Sequence, residues 1–261
     1  FTDEAQDFRW QIGGQIVAWF QWRAVFWVLT AAGVVGLAGA VWRLPETHRS
    51  ENTRSLALRS VAGSYYFLLK DRTFVGYAMT GALSLAGLFS YIVGSPFVFI
   101  QLFHVAASHF GFFFGANALG FILAAQINVR LVRRFETSVV IERVLLIQIA
   151  AGVLLTAGTA AGLIGLYGTA ALLFIYVSSI GCLFPNTTAM AMAPHGDRAG
   201  IASALVGVLQ FAVAAITASV VGAANNGTAL PMAAGVGLAG TGAFLLYRSL
   251  VTPAVLVASE P

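Results

Sequence analysis

Seven stretches of this chain run for about the thickness of a bilayer's hydrocarbon core without one charged side chain, and nothing else in the sequence constrains the fold as strongly. They are Ala24–Trp42, Thr73–Tyr91, Phe110–Asn128, Val144–Leu163, Gly168–Met190, Ile201–Ala224 and Leu230–Leu246. The second continues as an apolar run past Gly94, Ser95 and Pro96 to Phe103. At roughly 20 residues each, the seven fill more than half of the 261-residue chain. Backbone polar groups find no water in hydrocarbon, so runs of this length must satisfy themselves as helices. The short alternating segments of a barrel are absent. The fold class predicted is an all-α polytopic membrane protein.

Composition enters as an exclusion. Charged residues make up 9% of the chain and apolar ones 59%, against about 25% charged in ordinary soluble proteins. A soluble enzyme is excluded. The 14 Lys and Arg and the net charge of +4 are scattered along an apolar chain, so they form no basic stripe for nucleic acid. The single cysteine, Cys182, allows neither an intrachain disulfide nor a multi-cysteine metal site.

Where the charges lie sets the orientation. Arg43, Arg49, Arg54, Arg59, Lys70 and Arg72 fill the first long connection. Arg130, Arg133, Arg134 and Arg143 follow the third span, Arg198 precedes the sixth, and Arg248 follows the seventh. The alternate connections, 101–109, 164–167 and 222–231, contain no Lys or Arg. Lys and Arg beside span ends mark the cytoplasmic side, so the C-terminus is expected there. Arg23 falls on the outer side, where it reads as an interfacial anchor beside Trp22. The expected organisation is a polar N-terminus with a partial helix (1–23), a first span (24–42), a cytoplasmic linker (43–72), a six-helix bundle (73–251) and a tail (252–261). Within the linker, Leu58, Val61, Tyr65, Leu68 and Leu69 recur at helical spacing and predict an amphipathic interfacial helix over 55–69. The apolar stretch 12–20 is about half the length of a span, and the chain has no initiator Met, so it reads as truncated.

The chemistry on offer is sparse. The deep parts of the spans hold no Asp, Glu, Lys, Arg or His. His104 and His109 lie five apart on an outer connection, and His48 and His195 lie elsewhere, so all four read as solvated loop histidines and no metal site is expected. No phosphate-cradling loop and no nucleophile elbow is present, and no cofactor is implied. What remains is uncharged polarity inside the helices: Ser84, Tyr91, Ser95, Asn117, Gln126, Asn128, Gln148, Tyr176, Ser178, Ser179, Asn186 and Gln210. Each Asn and Gln either hydrogen-bonds a neighbouring helix or faces a wet cavity, and the sequence leaves both open. Some of the 20 phenylalanines, among them Phe89, Phe97, Phe99, Phe103 and the run Phe112-Phe113-Phe114, are available to line an apolar pocket. Gly94-Ser95-Pro96 and Phe184-Pro185-Asn186 are expected helix interruptions, either static kinks or moving elements, with Gly94, Pro96 and Pro185 as the gating candidates.

Longer strings match a known family. They are WRAVF at Trp22–Phe26, LPET at Leu44–Thr47, FVGYAMTGALSLAGLFSYIVGSPFVF at Phe74–Phe99, NALGFILAAQINVRLVRRF at Asn117–Phe135 and LFPNTTAMAMAPHGDRAGIASALVGVLQF at Leu183–Phe211. Together they resemble drug-resistance transporters of the Bcr/CflA type in the major facilitator superfamily. The resemblance implies an inner-membrane protein of twelve helices in two halves, exporting drugs or small amphipathic metabolites in exchange for protons. On that template Ala24–Trp42 resembles the sixth helix, Thr73–Leu250 the complete second half, and Gly13-Gly14 the end of the antiporter motif. The first four helices and the acidic residue that helps couple protons would lie in a missing N-terminal half. Tyr91, Asn117, Asn186 and Gln210 are then the expected cavity-facing groups for a small-molecule substrate. The other reading is a non-transporting membrane remnant or interaction subunit.

Overall fold

The computed structural model describes residues 22–43 and 58–252. It divides into two units, 1–55 and 56–261. Among the described residues of the first unit, the helix α1 (Trp22–Arg43) covers the stretch read as the first span. Thr30 keeps its hydroxyl within this helix, donating to the Phe26 carbonyl at 2.8 Å. The partial helix over 12–20, the Gly13-Gly14 pair and the LPET string lie outside the described residues.

The second unit is helical throughout its described residues, in the order α2 (Leu58–Lys70), α3 (Arg72–Pro96), α4 (Ala107–Leu131), α5 (Thr137–Ala160), α6 (Leu166–Met192), α7 (Ala199–Ala223) and α8 (Leu230–Leu246). A π-helical turn, Phe97–Leu102, extends α3; a 3₁₀ turn, Ala193–Arg198, joins α6 to α7; a second π turn, Tyr247–Val251, extends α8. Five helical stretches among the described residues are long and apolar enough to cross a membrane, the longest being α6 and α7 joined end to end.

Asp71 starts α3. Its Oδ1 accepts the Thr73 and Phe74 backbone N–H groups at 2.8 and 3.3 Å, occupying donors that no helical carbonyl reaches. The helix before it, α2, buries Leu68 and Ser64 and packs on α3 and α7. Leu69, placed by sequence on the apolar stripe, is instead 50% exposed. A 13-residue helix docked along one narrow line has room for Leu68 and, one turn earlier, Ser64, but not for both leucines.

Helices α3, α6, α5 and α8 pack around a closed ring; α7 leans chiefly on α3, and α4 chiefly on α6. The core falls into two apolar clusters. One, at the arginine-rich end, centres on Phe74, Tyr77, Ile141, Leu183 and Tyr247. The other, at the far end, centres on Tyr91, Phe99, Leu155, Tyr176 and Val236. Between them Ser84 donates to the Gln148 Oε1 at 3.0 Å, tying α3 to α5 with both side chains buried. The α5–α8 contact is close enough that a Cβ on Gly237 would overlap Thr156, whose hydroxyl donates to the Ala233 carbonyl at 2.8 Å. By contrast, a Cβ on Gly115 would meet no atom among the described residues within 4 Å.

One expectation needs correction. Neither proline ends its helix: α3 passes through Pro96 and widens into the π turn, where the Phe103 N–H donates to the Val98 carbonyl at 3.0 Å, and α6 passes through Pro185. A proline removes one N–H donor and crowds one carbonyl, and the neighbouring turns hold the helix together across the gap. The helix of the fourth span extends beyond its charge-free stretch at the arginine-rich end. Helix α5 starts at Thr137 and carries Glu142 and Arg143 in its early turns. Glu142 is tolerated there because Arg248, at the end of α8, donates to it at 2.7 Å.

Candidate functional site

At the far end of the bundle, three uncharged polar groups meet. Tyr91 and Ser95 lie one turn apart on the same face of α3, and both are buried. Asn117, on α4, is 5% exposed. Asn117 and Ser95 are the polar neighbours that the Tyr91 hydroxyl meets, and the Tyr91 hydroxyl and the Ser95 Oγ are both sealed from the surface.

Aromatic rings surround this cluster. Tyr91 stacks on Phe114, with ring centroids 5.9 Å apart and planes at 20°. Phe99, from the π turn after Pro96, sits 5.0 Å from Phe113. A cavity of about 380 Å³ opens here between α4 and α6, lined by Phe99, Phe113, Ala116, Asn117, Ala171 and Phe174 among others. Asn117 belongs both to this lining and to the polar cluster.

The other two sequence candidates lie apart from it. Asn186, on α6, is 6% exposed and exchanges two hydrogen bonds with Asn128 of α4: Asn186 Nδ2 donates at 2.8 Å and Asn128 Nδ2 at 3.1 Å. Gln210, on α7, is buried and donates weakly to the Thr188 hydroxyl at 3.4 Å. A Cβ on Gly81 of α3 would come within 3.2 Å of the Gln210 Nε2. Of the four, only Tyr91 and Asn117 are brought together.

Below the cavity, α4 and α6 close on each other. A Cβ on Gly181 would collide with the Phe121 carbonyl oxygen, and the Cys182 thiol donates to the Ala124 carbonyl at 3.3 Å. The Gly181 carbonyl is also the one that loses its helical partner to Pro185. The seam is therefore splayed at the far end, tight in the middle and clasped by amides toward the arginine-rich end.

Ionisable groups gather at that end. His195, expected in solvent, is 9% exposed and lies 3.0 Å from Asp71. Its ring meets Phe74 edge-on at 5.5 Å. Asp71 thus caps α3 with one oxygen and holds the α6–α7 turn with the other. The sequence signal was Asp71 itself, an N-cap residue directly before an apolar run, but its partner is 124 residues away and no spacing rule finds it. Arg198 lies over the Phe67 ring at 4.4 Å. Among the described residues no three His, Cys, Asp or Glu side chains come together to hold a metal.

With this geometry in view, comparison with known proteins is specific. Residues 11–219 match the Major Facilitator Superfamily. The chain is 32% identical over 221 residues to the bicyclomycin resistance protein homolog of Haemophilus influenzae, covering 85% of this chain and 55% of that protein. It is 34% identical over 222 residues to the uncharacterized MFS-type transporter YdgK of Bacillus subtilis, covering 82% and 52% respectively. It is 24% identical over 211 residues to the multidrug resistance protein MdtL of Shewanella oneidensis, covering 81% and 52%. The chain spans about half the length of the curated relatives it matches.

Proposed function

Because the chain belongs to the major facilitator superfamily, we propose that it is the C-terminal part of a proton-coupled exporter of drugs or small amphipathic metabolites. Alternating access rocks two structural repeats about a shared site, and this chain supplies one wall of it, completed by an N-terminal half. Tyr91, Asn117, Asn186 and Gln210 are the polar groups of that wall. Gly94, Pro96 and Pro185 are its flexing points, where proline has removed a backbone donor inside a continuous helix. The arginine-rich end and the C-terminus face the cytoplasm of a cell's inner membrane.

One observation carries this reading: within the helices the buried polar groups are uncharged, while every described acidic residue (Asp71, Glu136, Glu142 and Asp197) lies toward one end. Such an interior suits a neutral or amphipathic passenger and leaves proton coupling to carboxylates outside this chain. The test joins the chain to an N-terminal half from a relative and measures drug efflux in cells. Alanine at Tyr91, Asn117, Asn186 and Gln210 together is expected to abolish efflux with membrane insertion intact. Undiminished efflux by that variant, or proton-driven flux by the 261-residue chain alone in vesicles, refutes the reading.

A further inference from the structure

We infer that the cleft between the far halves of α4 and α6 is a binding site for an uncharged small molecule with a flat apolar body and one hydrogen-bonding end. The inference rests on the reading of these helices as a cargo-facing wall and deepens it by naming where and what the wall holds.

Four observations converge. The cleft is about 380 Å³, inside the range of roughly 300–1,000 Å³ of small-molecule sites. Its body is aromatic: Phe99 and Phe113 lie 5.0 Å apart at 49°, and Phe174 stands opposite on α6. Rings tilted in this way present edges and faces to a flat guest rather than closing on each other. No charged side chain lines it, so a guest carrying a formal charge would lose its hydration without a counter-ion. Its polar edge is Asn117, backed by the buried Tyr91 hydroxyl and the Ser95 Oγ that neighbours it.

This last point selects among apolar guests. A lipid acyl chain would fill the aromatic part and leave the polar groups as they are. A guest ending in a hydroxyl or carbonyl would engage Asn117, which offers both donors and an acceptor, and through it Tyr91 and Ser95. Closure of the seam below, where Gly181 meets the Phe121 carbonyl, gives the site a floor. Ser95 thereby becomes a specificity-determining residue, acting on the guest's polar end through Tyr91 and Asn117 while contributing nothing to the apolar wall.

The experiment uses the full chain purified in dodecyl maltoside micelles, with 4-hydroxybenzophenone as a photoreactive probe and benzophenone, lacking the hydroxyl, as its control. Saturable labelling is expected on peptides spanning 113–117 and 170–175. Asn117→Leu should weaken the hydroxylated probe about tenfold, the loss of one or two buried hydrogen bonds, and leave benzophenone within about twofold. Ser95→Ala, which changes almost no volume, should act in the same direction, and Ala171→Trp should block both probes. Unsaturable or dispersed labelling overturns the inference. So does an equal loss of both probes in Asn117→Leu and Ser95→Ala, or displacement of the probe by dodecanoic acid as readily as by 1-naphthol, which would assign the cleft to acyl chains. Binding needs no N-terminal half and no flux. Failure here with export intact therefore removes the site, while failure of export with binding intact removes the transporter reading.

Discussion

The reciprocal amide pair between Asn128 and Asn186 offers the sharpest test of how α4 is held. Asn186 is 6% and Asn128 5% exposed, their two hydrogen bonds measure 2.8 and 3.1 Å, and α4 has α6 as its main partner. Replacing either residue with valine removes both bonds and strands the surviving amide in an apolar seam. The stranded group costs about 1–3 kcal/mol, whereas hydrogen bonds between membrane helices are worth about 0.6–2 kcal/mol each. Each single variant is therefore expected to lose about 2 kcal/mol. The double variant strands nothing, so its loss should be close to that of one single variant, giving a coupling of about 2 kcal/mol. Reversible unfolding of the four proteins in mixed micelles, followed by helical circular dichroism, measures the cycle. Additivity within about 0.5 kcal/mol would show that the two amides do not act as a unit, and the clasp would be refuted.

Two further predictions follow from the same packing. A Cβ on Gly87 would overlap the Tyr176 hydroxyl and its ring carbons Cζ and Cε1; Gly87→Ala should destabilise by about 1–3 kcal/mol in thermal unfolding, Tyr176→Phe, which keeps both carbons, should be near neutral and should not rescue it, and Tyr176→Val in the Gly87→Ala background should cost less than the two single changes added together. If Gly87→Ala is neutral, the close approach of α3 and α6 is wrong. At the arginine-rich end, Asp71→Ala removes both a helix cap and the partner of a buried His195 and should cost about 2 kcal/mol or more. Arg248→Ala breaks an ion pair whose side chains are 51% and 41% exposed and should cost under about 1 kcal/mol. The reverse ranking in the same unfolding assay would overturn the assignment of the load to Asp71.

Hydrocarbon imposes a simple rule on sequence, which is why so much of the architecture was readable from it. A charge-free run long enough to cross must be a helix, whatever surrounds it, so α3 through α8 could be placed from composition alone. Lys and Arg likewise declare themselves at helix ends. Family membership was legible for a different reason: strings such as GSPFVF and LFPN resemble those of known transporters, and residues 11–219 match the family.

Other features depended on which helix faces meet, and that is a property of the assembled bundle. Asn117 and Asn186 are chemically identical and both sit in apolar runs, yet one lines an aromatic cleft and the other is consumed by Asn128. His195 read as a loop residue because its carboxylate partner is 124 residues distant. Pro96 and Pro185 read as breaks because sequence records the missing donor but not the neighbouring turns that keep the helix continuous. Residue chemistry along the chain thus determined what must lie in the membrane and in what form. Tertiary packing alone decided which polar groups spend their hydrogen bonds on one another and which border the aromatic cleft, because those bonds join residues that only the folded helices bring within reach.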